Sequence, residues 1–166
     1  MGKAGSPTTL ILGLGNPLSG DDGFGAQVLE LIRQSRGSFP PGTSVVDAHT
    51  DLLNHLENFA AYEHAVLIDA ILDPEGKLGK PGQVVILREE EFLSWSEDSS
   101  NVHQMSPLLA VKLFRQLYPA ARTQISLIGL LVDRLTHSSL YATTSRIQQA
   151  SALVLSLFDP DPDPDL

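Results

Sequence analysis

The strongest constraint on the fold is a series of short, almost continuous apolar runs separated by segments of helical periodicity. Thr9–Leu14, Ala65–Ile68 and Gln124–Val132 are apolar on successive residues, so a strand built from any of them buries both faces. Between about Gly23 and Arg36, Phe24, Val28, Leu29 and Ile32 recur on one helical face, and Gly37 is a natural stop. Thr43–Val46 reads as a second strand, and Thr50 as the cap of a helix over about Asp51–Phe59. Asp73–Gly82 is rich in proline and glycine and reads as a loop, Gln83–Leu87 as a further strand, and Ser94–Asn101 as irregular. Ser106-Pro107 combines an N-cap residue with proline at the first helical position and opens a helix to Tyr118. A last helix covers about Thr143–Phe158.

The predicted order is β-α-β-α-β-β-α-β-α, without repeat or internal linker. Fully buried strands alternating with amphipathic helices define a single three-layer α/β domain over 1–158, with a mostly parallel twisted sheet of about five strands. The strand at 83–87 follows its predecessor without a helix, which suits an antiparallel edge. Residues 159–166, Asp-Pro-Asp-Pro-Asp-Pro-Asp-Leu, cannot continue a helix and read as a solvated, disordered acidic tail.

Composition narrows the chemistry. There are no cysteines, which excludes disulfides, thiolate metal sites and a cysteine nucleophile. The net charge is −9, with four aspartates in 159–166, and an acidic body is unsuited to nucleic-acid phosphates. No run approaches the roughly 20 apolar residues of a membrane helix, and the first apolar run is too short for a secretory signal. Gly2 and Ser6 fit the loose myristoylation pattern, but no basic cluster follows to supply a second anchor. The expected location is the cytoplasm.

In open α/β sheets, ligands bind beyond the carboxyl ends of the strands, and three segments bring unusual residues there. The first is Gly13-Leu14-Gly15-Asn16-Pro17-Leu18-Ser19-Gly20-Asp21-Asp22-Gly23-Phe24-Gly25. Leu18 occupies the position where a dinucleotide fingerprint requires glycine, and no P-loop Gly-Lys-Ser/Thr follows. Two carboxylates at a helix start are stabilised by the helix dipole and repel phosphate, so the loop favours a cation. One carboxylate suffices as a cap for one helix; the other needs a further reason. The second segment places Asp69 after the apolar Ala65–Ile68 run, and the third places His103 just before a helix. Taken singly, Asp69 reads equally well as a turn former and His103 as a surface residue. Together, Asp22, Asp69 and His103 make a mixed oxygen and nitrogen set able to hold a divalent metal. His49, after Asp47 at a strand end, could reach the same crevice, while His55 in a helix, His64 in a turn and His137 in a late loop read as solvated positions. Gly-x-Ser-x-Gly is absent, and Ser19 reads as a turn residue rather than a nucleophile.

The string Leu-Ile-Leu-Gly-Leu-Gly-Asn-Pro-Leu-Ser-Gly-Asp-Asp-Gly-Phe-Gly resembles the N-terminal signature of the nickel–iron hydrogenase maturation endopeptidases. The similarity continues through Leu-Ile-Asp-Ala-Ile at 67–71 and His-Gln-Met at 103–105. The resemblance implies a three-layer α/β endopeptidase that removes a C-terminal peptide from a nickel-loaded large-subunit precursor. It assigns Asp22, Asp69 and His103 as the catalytic and metal-recognising residues. The nickel it implies is carried by the substrate, with zinc or another divalent ion as a substitute; neither nucleic acid nor membrane is an expected partner. Two departures flank the expected substrate cleft: Asp47-Ala48-His49-Thr50 replaces an Asp-Gly-Gly-Thr-like stretch, and Gly129–Asp133 lacks the proline of a Gly-Ile-x-Pro stretch. The competing readings are a non-catalytic metal- or partner-binding domain and a peptidyl-tRNA hydrolase. The resemblance to the latter stops at Gly-Leu-Gly-Asn-Pro: its following Arg-His-Asn-x-Gly type segment is absent here, with Asp21-Asp22-Gly23 in its place.

Overall fold

The structure is a computed structural model that describes residues 8–35, 39–94 and 106–158. Five strands form one sheet: β1 (Thr9–Leu14), β2 (Thr43–His49), β3 (His64–Leu72), β4 (Val84–Arg88) and β5 (Gln124–Val132). Their spatial order is β2-β1-β3-β5-β4. All pairs are parallel except β4 with β5, so the strand at 83–87 does run antiparallel at an edge. The helices are α1 (Phe24–Gln34), α2 (Leu56–Phe59), α3 (Glu89–Ser94), α4 (Pro107–Leu117) and α5 (Thr144–Ser156).

Period-2 alternation divides the strands between two cores. Leu10, Leu12, Leu67, Leu127 and Leu131 pack on one face with Phe59, Phe92 and Phe114 of α2, α3 and α4. Ile11, Val66, Ile68, Ile128 and Leu130 pack on the other with Phe24 and Val28 of α1 and Val154 of α5. The expected three-layer α/β architecture is therefore observed. Two helix starts follow their local chemistry, with Ser106 accepting a bond from Leu109 N–H and Thr143 from Arg146 N–H.

Several expectations are corrected in detail. The segment after β2 is a 3-10 turn, Leu52–His55, running into a single α-turn, with Asp51 rather than Thr50 at the cap position and no side-chain cap bond. A short helix, α3, begins immediately after β4. Strand β3 does not end at Asp69 but continues to Leu72, because β5 pairs with it throughout. Gly37, most of the irregular stretch to Asn101, and the 159–166 tail lie outside the described residues.

Candidate active site at the carboxyl edge of the sheet

The site is built where β1 stops and β3 does not. The last β1–β3 pair is Gly13 with Ile68, so Asp69 is the first β3 residue beyond the paired length of β1. Asp69 is partly buried, and one carboxylate oxygen accepts the N–H of Ala70 at 2.8 Å. Alternation puts Asp69 on the same side as Leu67 and Ile71, toward the layer of α2, α3 and α4.

From the end of β1 the chain turns through Gly15, whose φ is +95° and whose N–H donates to the His49 carbonyl. A Cβ at Gly15 would overlap the Asp22 carbonyl oxygen, so only glycine allows the loop to fold back this closely. Asp22 lies in a 3-10 turn, Gly20–Gly23, which leads directly into α1. It is 8% exposed, and its Oδ2 accepts the Asn16 N–H at 2.8 Å. Among the described residues that is its one side-chain bond, which leaves Oδ1 unshared. Helix α1 begins so near the strand ends that a Cβ on Gly25 would collide with the Leu14 and Ile68 carbonyl oxygens. The start of α1, just after the Asp22 turn, is thus pressed against the end of β1 and against β3 at Ile68.

Asp21 has a different role. It is fully buried, and its carboxylate accepts the N–H groups of Leu140, Tyr141 and Ala142 at 2.7–3.1 Å. Neither aspartate makes a side-chain cap bond to the turn or to α1, so the capping explanation fails for both. The paired acids instead divide the work: Asp21 binds a distant loop, and Asp22 keeps an unshared oxygen. The surplus carboxylate was the sequence signal for this, but its partner, more than a hundred residues away, was not recognisable.

His49 stands at the same edge on the far side of β1, after an irregularity where β2 carries one extra residue against Gly13 and Leu14. Its φ is +49°, and its ring Nδ1 lies 3.4 Å from Asp47 Oδ1 with the side chain 60% exposed. His137 is exposed, whereas His55 and His64 are half-buried, and His64 begins β3 rather than sitting in a turn. His103 lies outside the described residues. Among the described residues no three His, Asp or Glu side chains are grouped to hold a metal. Of the expected donor set, the described residues include its two carboxylates, Asp22 in the turn after β1 and Asp69 within β3.

An αβα domain carrying acids at the carboxyl edge of its parallel strands has its candidate site where open α/β sheets bind their ligands. The comparison with known proteins is more specific. The hydrogenase maturation protease family model matches residues 27–155, a span that includes Asp69 and His103 and begins after Asp22. The chain is 28% identical over 128 residues to the hydrogenase 2 maturation protease of Escherichia coli K12, covering 76% of this chain and 74% of that protein. It is 29% identical over 133 residues to the hydrogenase expression/formation protein HoxM of Azotobacter vinelandii, covering 78% of this chain and 60% of the relative. Among solved structures, the hydrogenase maturating endopeptidase HybD from E. coli superposes with a TM-score of 0.69 at 24% identity, over 90% of this chain and 91% of that one. HybD from Thermococcus kodakarensis gives 0.65 at 25% identity, over 92% and 99%. The chain belongs to the hydrogenase maturation proteases and is an endopeptidase. No helix among the described residues is long and apolar enough to cross a membrane.

Proposed function

We propose that this endopeptidase removes the C-terminal peptide of a nickel-loaded hydrogenase large-subunit precursor in the cytoplasm, recognising the substrate's nickel through Asp22, Asp69 and His103. The observation that carries this reading is that the Asp22 turn and Asp69 both lie at the carboxyl end of β1, with Asp22 Oδ1 unshared among the described residues. Helices α3 and α4, which flank the segment bearing His103, both pack in the layer that Asp69 faces. Two carboxylates and an imidazole suit a divalent transition ion, and zinc would suit the same donors. Such an ion, while bound, polarises a nearby carbonyl and acidifies a bound water. The protein's own part is to anchor the ion with carboxylates whose positions are set by Gly15, Asn16 and the Ala70 N–H. Cleavage would then await metal insertion, because the substrate presents the nickel itself.

Intact-mass spectrometry of precursor incubated with the protein tests this reading. Loss of a C-terminal peptide is expected with nickel-loaded precursor and not with nickel-free precursor. Asp22→Asn is expected to slow cleavage about a hundredfold or more, as loss of a ligand charge weakens metal engagement. Full activity in Asp22→Asn would remove Asp22 from the site. Equal cleavage of nickel-free precursor would remove metal recognition, and no cleavage of a competent precursor would favour the binding-only reading.

A further inference from the structure

Three leucines are exposed on two loops at the same sheet edge. Leu18 is 89% exposed, between β1 and the Gly20–Gly23 turn; Leu135 and Leu140 are 49% and 45% exposed, on the 133–143 loop between β5 and α5. Single exposed leucines are ordinary on a protein surface. What distinguishes these is the way their loops are joined. Asp21, fully buried, accepts three backbone N–H groups from residues 140–142. Gly20, at φ +56°, lets its backbone press against the Thr136 and Ser138 carbonyls, where any Cβ would collide. Within the second loop, Thr136 Oγ1 donates to the Ser138 carbonyl and Tyr141 Oη donates to Asp133. Burying a carboxylate is costly unless it is well satisfied, so this is a demanding way to join two loops. The result is ordered backbone carrying exposed apolar side chains, which reduces the entropy lost on binding a partner.

An endopeptidase must hold polypeptide on either side of the bond it cuts. Leu18 lies in the loop whose Asn16 N–H binds Asp22, so this loop and the one joined to it adjoin the space at Asp22. We infer that Leu18, Leu135 and Leu140 form an apolar shelf that seats apolar residues of the precursor beside the scissile bond. Asp21 is the positioning residue that keeps the two loops together. The inference rests on the proposed reading of Asp22 as part of the site and adds to it the chemistry of the adjoining substrate segment.

The test is steady-state cleavage of nickel-loaded precursor by the combined Leu18→Ala, Leu135→Ala and Leu140→Ala variant. KM is expected to rise about tenfold or more, with kcat within about twofold and an unchanged melting temperature, as for loss of apolar binding contacts. An unchanged KM overturns the shelf, including the case in which the leucines alter only self-association. If wild type cleaves no precursor, direct titration separates the two ideas. Binding lost in the leucine variant then upholds the shelf while the catalytic reading fails, and equal binding overturns the shelf. Asp21→Asn is expected to raise KM in the wild-type background and to add little in the leucine variant, because both changes act through one surface. Additive effects would overturn the positioning role, even if Asp21→Asn also lowered stability.

Discussion

Asp22 owes its position to a glycine more than to any side-chain partner. The loop after β1 folds back so tightly that Gly15 lies against the Asp22 backbone carbonyl, in a conformation closed to most L-residues. Asn16 adds an N–H to Asp22 Oδ2, while its own side chain accepts the Leu18 N–H, fixing the turn from both directions. Gly15→Ala would combine backbone strain with a clash against main chain, which cannot rotate away. The expected loss is about 2–4 kcal/mol of stability. Cleavage is also expected to fall at temperatures well below melting, since the Asp22 carbonyl must move to admit the methyl group. Urea denaturation and precursor cleavage at 20 °C measure the two effects separately. Retained stability with full activity would show that the loop has another accessible shape. At this scale the sequence exposed the acids, since two adjacent aspartates exceed what one helix start uses. It could not divide their roles, because Asp21 is explained by N–H groups at 140–142, and nothing local in sequence connects the two.

At the scale of elements, the strand lengths were the least legible feature. The apolar run at 65–68 is followed by an acid, which reads as an exit, yet β3 continues because β5 offers it hydrogen bonds through Val132. Strand length is thus set by the neighbour as well as by the run itself. The helix expected over 51–59 fails for a related reason: Leu52, Leu56 and Phe59 need only be buried, and a 3-10 turn followed by one α-turn buries them. Helix starts at Ser106 and Thr143, by contrast, depend on local bonds and were readable. The 133–143 loop also carries its own local device. The hydrogen bond to Asp133 holds the Tyr141 phenol above its ordinary pKa, with burial and the Asp133 charge acting in the same direction. The stabilisation belongs to the protonated phenol, so it is complete below the unfolded pKa of about 10 and is lost as pH rises through the folded value. Asp133→Ala should return the phenol toward its ordinary pKa. Tyrosinate absorbance checks this directly, and melting curves at rising pH check the linkage: the gap between wild type and variant should be constant to about pH 10 and then close. An unaltered phenol titration in Asp133→Ala would show that the bond does not form in solution.

Across the whole molecule, the order of elements and the three layers were readable because each strand between helices carries apolar residues on both faces. Two sets of helices must cover such a sheet, and the candidate site then falls in the crevice at its carboxyl edge. The layers contribute unequally. The Asp22 turn and the 133–143 loop belong to the α1–α5 side, whereas Asp69 faces the α2–α4 side, where α3 and α4 flank the segment bearing His103. One cross-connection fixes the latter pair of helices. Arg115 of α4 makes two hydrogen bonds to Glu89 at the start of α3, and donates further bonds to the Ala121 and Thr123 carbonyls ahead of β5. The hydrogen bond to Glu89 raises the Arg115 pKa against the opposing effect of burial, so the guanidinium stays charged. Arg115→Met would leave Glu89, 16% exposed, without its partner and would orphan two carbonyls. The expected cost is about 2–4 kcal/mol, and adding Glu89→Leu should recover part of it, since an apolar pair removes the stranded charge. Denaturant midpoints of the two single variants and the double provide the cycle. If α3 and α4 also set the His103 segment, Arg115→Met will lower kcat for nickel-loaded precursor under conditions where the variant is fully folded. A loss of stability with unchanged kcat would limit the clamp to holding the layer together.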